Sequence, residues 1–451
     1  MNKISYPPGF RARRGLNWGA IGFMYASYYM CRYNFRFAGP GMNAEFGFDK
    51  TDLANIWVIW SLAYGTGQLV NGLFTDRIGG KWSMLIGAIG TIACNLIFGF
   101  SSFIGTLSTF ALIALLNGWF QSFGAPGMVK INAAWFNRTE RGTFAGIFGI
   151  MIQIGQFTIN TLAPFLLAGF AIALWSTATW VVEPGTWRIL FVIPPVITAA
   201  AALFLFFAVK EEPAAAGYPD CVHDEIDNSV GTKVTLKETF TTIFCHPLVW
   251  FYAAAYACTG AVRHSSDQLS VMFFTEQLGI DLKSKPLSVI ITLNLMTAAA
   301  IFGSIASGWI SDRFFKGQRA PVAKFLYFLE AIVLASAAAV MFTGLIQPGL
   351  LGVTLGGFFL VMTSLTVNST HSIVGAAAPM DIGGKKMAGF AAGVIDSFQY
   401  YGSAICLFIT GLVLAEFGWA GWYPVMIAFA LCGGISMILL RENKNASPGS
   451  Q

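Results

Sequence analysis

The chain is 451 residues long, 55% hydrophobic and 11% charged, with a formal net charge of +5. Soluble domains carry roughly 25% charged residues, so an ordinary globular protein is excluded and lipid must be part of the solvent. The positive excess gives no basis for nucleic-acid binding, because the cations sort by loop instead of gathering on one face.

Residues 1–15 (MNKISYPPGFRARRG) are polar and basic, and the apolar run that follows is too long for a signal-peptide core, so the first span is expected to stay as an anchor in the lipid bilayer. Stretches such as 82–103 and 325–345 reach the roughly 20 apolar residues that a helix needs to cross the hydrocarbon layer. Twelve spans are predicted, near 16–38, 52–74, 82–103, 106–128, 143–170, 187–209, 247–273, 286–310, 321–345, 348–373, 387–414 and 418–440. Five cysteines (Cys31, Cys94, Cys258, Cys406, Cys432) fall inside spans and two (Cys221, Cys245) in the polar middle segment. No paired spacing points to a disulfide or a metal site.

Assigning Lys and Arg to alternate loops puts twenty of the 27 on the side of the N-terminus and only Lys50, Arg188, Lys283 and Lys285 on the other; Arg32, Arg36 and Arg263 lie in or beside spans. The positive-inside rule then predicts a cell inner membrane protein with both termini cytoplasmic. Residues 210–246 form the long polar interruption and leave six spans on each side. The expected organisation is a six-helix bundle over 1–209, a cytoplasmic linker over 210–246 and a second bundle over 247–451.

Six plus six suggests an internal repeat. After the second span comes Gly72-Leu-Phe-Thr-Asp76-Arg77-Ile-Gly79-Gly80-Lys81, and after the eighth comes Gly308-Trp-Ile-Ser-Asp312-Arg313. Arg32 stands 16 residues after Leu16, where the first span begins, and Arg263 stands 16 after Pro247, where the seventh begins, so the two arginines are repeat-related. The G-x-x-x-D-R-x-G-x-K loop resembles the signature loop of the major facilitator superfamily. The resemblance implies that Gly72, Asp76, Arg77, Gly79 and Lys81, with Asp312 and Arg313, gate the conformational change by clamping helix ends. It also implies an all-α membrane protein of the major facilitator fold: twelve transmembrane helices in two pseudo-symmetric bundles, a midplane site between them, and rocking alternating access.

A charged side chain at the bilayer centre costs at least about 2.5–3.5 kcal/mol, so Arg32 and Arg263 need a reason. Guanidinium is always charged, and its planar fork of donors matches phosphate oxygens two at a time. Two of them facing one cavity would form a dianion site. The alternative is that each neutralises a buried acid, Asp267 or Asp396, or snorkels to an interface. Arg36, one turn beyond Arg32, is expected to reach the periplasmic interface and is left outside the site. Tyr25 and Tyr29 fall at helical spacings from Arg32 and can share its face; Tyr28 and Tyr33 read better as packing aromatics. Tyr64 in the second span is a further candidate.

The same stretches resemble the organophosphate:phosphate antiporter family. The match includes YYMCRYNF in the first span, SLAYGTGQLVNGLFTDR in the second, LNGWFQSFGAPGMVKINAAWFNRTERG across the fourth and its loop, and KKMAGFAAGVIDSFQYYGSA entering the eleventh. The resemblance implies that Arg32 and Arg263 bind phosphate, that Tyr25, Tyr29 and Tyr64 line the same cavity, that a small organophosphate of the sugar phosphate or glycerol-3-phosphate class is exchanged for inorganic phosphate, and that the protein is a monomer. Departures bear on the substrate. Gln68 stands where many carriers of the family have lysine, Ile152-Gln153 where the glycerol-3-phosphate carrier has His-Asn, and Thr297 where members have an acid. Gln268, beside Asp267, takes the place of an aspartate.

His264 and His371 are candidates to compensate, either as ligands or as hydrogen-bonded structure. Asp396 looks like the eleventh-span I-D motif of sugar-phosphate members; contact with a sugar hydroxyl and balance of Arg263 are both open, and Gln399 one turn on shares either role. Gly155, Gly393 and Gly402 read as close packing positions. No Gly-rich phosphate loop, nucleophilic triad or metal spacing appears in the loops, so no enzyme activity, cofactor or metal is expected. Besides the exchanger, two other functions are open: a transporter-like sensor of external sugar phosphate, and a proton-coupled organic anion symporter using Asp267, Asp396 and the histidines.

Overall fold

The computed structural model describes residues 6–100, 105–136, 138–175, 178–219, 245, 247–315 and 319–440. The helices are α1 (Phe10–Phe46), α2 (Lys50–Ile78), α3 (Gly80–Phe100), α4 (Leu107–Gln121), α5 (Gly124–Trp135), α6 (Arg138–Leu167), α7 (Ile193–Ala208), α8 (Pro247–Met272), α9 (Leu287–Phe314), α10 (Arg319–Phe342), α11 (Leu350–His371), α12 (Ala378–Phe417) and α13 (Trp422–Leu439). Each predicted span corresponds to a helix over most of its described residues, and the fourth is α4 and α5 in succession. Residues 220–244 of the expected linker lie outside the described residues.

Polarity is inverted relative to a water-soluble core. Leu350, Phe207 and Phe100 are 85%, 75% and 72% exposed, whereas Arg32, Arg263 and Gln268 are buried. This is the arrangement of a chain whose outer face meets hydrocarbon and whose backbone hydrogen bonds stay within each helix. Among the described residues seven segments qualify as spans on length and apolarity alone, including Gly80–Phe100 and Leu287–Ser311. Helices α1, α2 and α8 are not among these, because they carry the polar side chains turned inward, Arg32, Gln68 and Arg263 among them.

In the first half α1 packs on α6 and α7, and α2 on α4; in the second, α8 packs on α12, α9 on α11 and α10 on α13. The halves meet along α2 and α12, α6 and α9, and α1 and α8. Small residues set the approach within each half. A Cβ on Gly155 would overlap the Ala26 carbonyl oxygen, and one on Gly402 the Ala257 carbonyl oxygen. Ala26 and Ala257 each stand six residues before their arginine, so the same helix contact is built twice. Gly393, expected to pack in the same way, has nothing within 4 Å of such a Cβ; the contact belongs to Gly402.

Two features were not expected. Following α6, β1 (Phe170–Trp175) and β2 (Ala178–Val182) form an antiparallel hairpin with Phe170 opposite Val182 and Ile172 opposite Trp180. Its apolar, partly β-branched and aromatic residues suit a strand; apart from Phe170 they fall in the connection expected between the fifth and sixth spans. The fourth span breaks at Ser122-Phe123 between α4 and α5, and α11 passes into a π-helical turn at Ser372–Ala377. Gln121-Ser122 and His371-Ser372 therefore mark irregular turns in repeat-related helices, a device that recurs at functional sites.

Candidate functional site

Arg32 and Arg263 are 3% and 6% exposed. Neither forms an ion pair with an acid among the described residues. The Arg32 Nε donates to Gln121 Oε1 at 3.0 Å, and its guanidinium lies over the rings of Tyr64, Tyr29 and Trp60 at 4.5, 4.6 and 4.9 Å. An aromatic cage attracts a cation through the negative faces of its rings without neutralising it. The Arg263 Nη1 donates to Gln399 Oε1 at 3.2 Å and approaches both His371 ring nitrogens at 3.4 Å. Gln121 ends α4 and His371 ends α11, so each arginine meets the same turn of its own half.

The two guanidinium groups have neighbours in common. The Tyr29 phenol and the Asp396 carboxyl each lie within electrostatic reach of both. Tyr25 packs at 5.7 Å from the Tyr29 ring, and Tyr64 lies 4.3 Å from Tyr400 across the α2–α12 contact. The Asp396 carboxyl interacts with the Gln68 and Tyr256 side chains. The Tyr256 hydroxyl in turn meets His371 Nδ1 at 2.8 Å. His264 is buried with its ring 5.2 Å from Tyr400, and Gln153 is half-buried with Oε1 unpaired.

Arg36 departs from expectation. It is 2% exposed and does not reach an interface. Its Nη1 donates to the Asp267 carbonyl oxygen of α8 at 2.8 Å and its Nη2 to Asn160 Oδ1 of α6. Asn160 Nδ2 then donates across the halves to Leu293 O at 3.1 Å and Thr297 Oγ1 at 3.3 Å. Tyr33, read as packing, donates to Asp267 Oδ2. Depth alone placed Arg36 at a boundary, but the second half covers it there. Asp267 is held by these two residues of α1 and makes no hydrogen bond to Arg263 among the described residues.

Sequence reasoning also missed Gln121, Trp60 and Tyr256. Gln121 carried no charge to mark it, and its role follows from the end of α4 lying against Arg32.

At the signature loop Gly79 ends α2 at φ 92°, a conformation that glycine adopts without strain. Glu211 accepts from the backbone N–H groups of Gly80 at 3.1 Å and Lys81 at 2.7 Å, while Lys130 Nζ donates to the Thr75 carbonyl at 2.9 Å. An acid at the start of α3 and a cation at the end of α2 match the helix dipoles. Gly72 is half-buried, Arg77 and Arg313 are exposed, and the Asp76 and Asp312 side chains lie outside the described residues.

A family model described as Major Facilitator Superfamily matches residues 21–379. The chain is 27% identical over 431 residues to the membrane sensor protein UhpC of Escherichia coli (strain K12), covering 94% of this chain and 90% of that protein. It is 28% identical over 424 residues to the glycerol-3-phosphate transporter of Bacillus subtilis (strain 168), covering 92% and 89%, and 28% identical over 446 residues to a probable hexose phosphate transport protein of Chlamydia trachomatis, covering 94% and 90%. Among solved structures, a bacterial homolog to the human lysosomal transporter Spinster, inward-facing and unoccupied, superposes with a TM-score of 0.73 at 15% identity over 96% of both chains.

Proposed function

This chain belongs to the major facilitator superfamily, and we propose that within it the protein exchanges a small organophosphate for inorganic phosphate across the cell inner membrane. The observation that carries the reading is the pair of repeat-related arginines, both buried and neither paired to an acid among the described residues. Uncompensated buried charge is costly, and a phosphate dianion between the two guanidinium groups supplies the missing counter-charge. The relatives named for glycerol-3-phosphate and hexose phosphate support the substrate class.

Phosphate enters between Arg32 and Arg263, and its oxygens draw donors from both halves together. Stronger contacts in the closed arrangement than in either open one drive closure. The end of the molecule opposite the termini is held shut by Tyr33, Arg36, Asn160 and Asp267, and opening there requires that network to part. On this reading the termini are cytoplasmic, the network faces the periplasm, and the chain works as a monomer.

The second reading is a sensor that binds external sugar phosphate and reports to a membrane partner; the similarity to UhpC favours it. The experiment that separates them is efflux of preloaded labelled phosphate from proteoliposomes, challenged outside with phosphate, glycerol 3-phosphate, a hexose 6-phosphate or 3-phosphoglycerate. Rapid efflux with one or more of these is the result expected of an exchanger. Binding without efflux would transfer the assignment to the sensor.

A further inference from the structure

Beside Arg263, α8 carries a second polar stripe. His264 and Gln268 stand one turn apart on the same helical face, 4% and 2% exposed. The His264 Nε2 has no hydrogen-bond partner among the described residues, and neither does the amide nitrogen or the amide oxygen of Gln268. One turn further along that face, Met272 lies near Gly39, where Leu53 also approaches. At the other end of the stripe, Tyr400 of α12 lies beside His264.

An amide buried with donor and acceptor both unpaired is destabilising in any interior. A ligand bearing hydroxyl groups removes that cost, since each hydroxyl both donates and accepts. His264 has His371 and the two arginines within electrostatic reach, and Tyr400 has Asp396, Tyr64 and Tyr29. A ligand tail carrying its own carboxylate would lie beside Asp396 and compete with the phosphate for the two arginines; a neutral, polyhydroxylated tail would not.

We infer that His264 and Gln268 form the subsite for the organic part of the ligand and select a sugar-like tail through its hydroxyl groups. The inference rests on the reading of Arg32 and Arg263 as the phosphate site. It requires binding but not transport, so it holds for an exchanger and for a sensor alike.

The test is calorimetric titration of the purified full chain with inorganic phosphate, 3-phosphoglycerate, a hexose 6-phosphate and its singly deoxygenated analogues. The unaltered protein is expected to bind the hexose phosphate more tightly than 3-phosphoglycerate and to lose about three- to tenfold in affinity for at least one deoxy analogue. In Gln268→Leu the parent sugar phosphate weakens by that factor and the penalty for the matching deoxy analogue disappears; His264→Phe does the same for a different hydroxyl. Equal binding of the parent and every deoxy analogue by the unaltered chain overturns the subsite without recourse to a variant. So does a Gln268→Leu protein that weakens phosphate and all sugar phosphates by one common factor, the mark of a packing role. Failure of the unaltered chain to bind phosphate at all would remove the two-arginine site, and the subsite with it.

Discussion

The Tyr33 hydroxyl of the first half donates to the Asp267 carboxylate of the second at 3.1 Å, and Arg36, one turn on, donates to the carbonyl of the same residue. Asp267 is thereby held by α1 through both side chain and backbone. With Asn160 it joins three helices at the end of the molecule opposite the termini.

Weakening this network is expected to favour opening at that end. In a background lacking native cysteines, Met272→Cys should react with a membrane-impermeant maleimide several-fold faster when combined with Arg36→Ala or Tyr33→Phe than alone. Unchanged labelling in both combinations would mean that the network does not hold the closed arrangement.

The repeat supplies a second expectation. Gln121 holds Arg32 through Nε, and His371 approaches Arg263 from the equivalent turn. Removing an uncharged partner from a charged donor costs about 1.5–3 kcal/mol, so Gln121→Leu and His371→Leu should each weaken phosphate binding about ten- to a hundredfold. Equilibrium titration checks this, and a loss confined to one variant would break the equivalence of the two halves.

Packing gives a contrast between two glycines of one helix. Gly402→Ala would push a methyl group into the Ala257 carbonyl, whereas Gly393→Ala enters open space. Overpacking typically costs about 1–3 kcal/mol. In detergent, Gly402→Ala should unfold several degrees below the unaltered protein and Gly393→Ala should be near neutral.

The twelve spans were legible because hydrocarbon demands long apolar helices, and the repeat because Arg32 and Arg263 stand at one depth in related spans. The equal burial of these two, and the Tyr29 and Tyr64 rings beside Arg32, follow from those facts. What lies across the interface was not legible. Arg36 is as polar as a snorkelling residue, and only the position of Asp267 and Asn160 makes it an internal one. Gln121 sits in a helix with no charge to mark it, and its role emerges once α4 ends against α1. The β1–β2 hairpin lies almost wholly between the fifth and sixth predicted spans, in a stretch that the search for long apolar helices leaves as a loop.

In the proposed function both guanidinium groups hold one phosphate. Titration of inorganic phosphate into the purified chain and into Arg32→Lys and Arg263→Lys tests it most directly. Lysine keeps the charge but loses the paired donor geometry, so each variant is expected to bind phosphate at least about a hundredfold more weakly than the unaltered protein. Binding by either lysine variant within twofold of the unaltered chain would contradict the account.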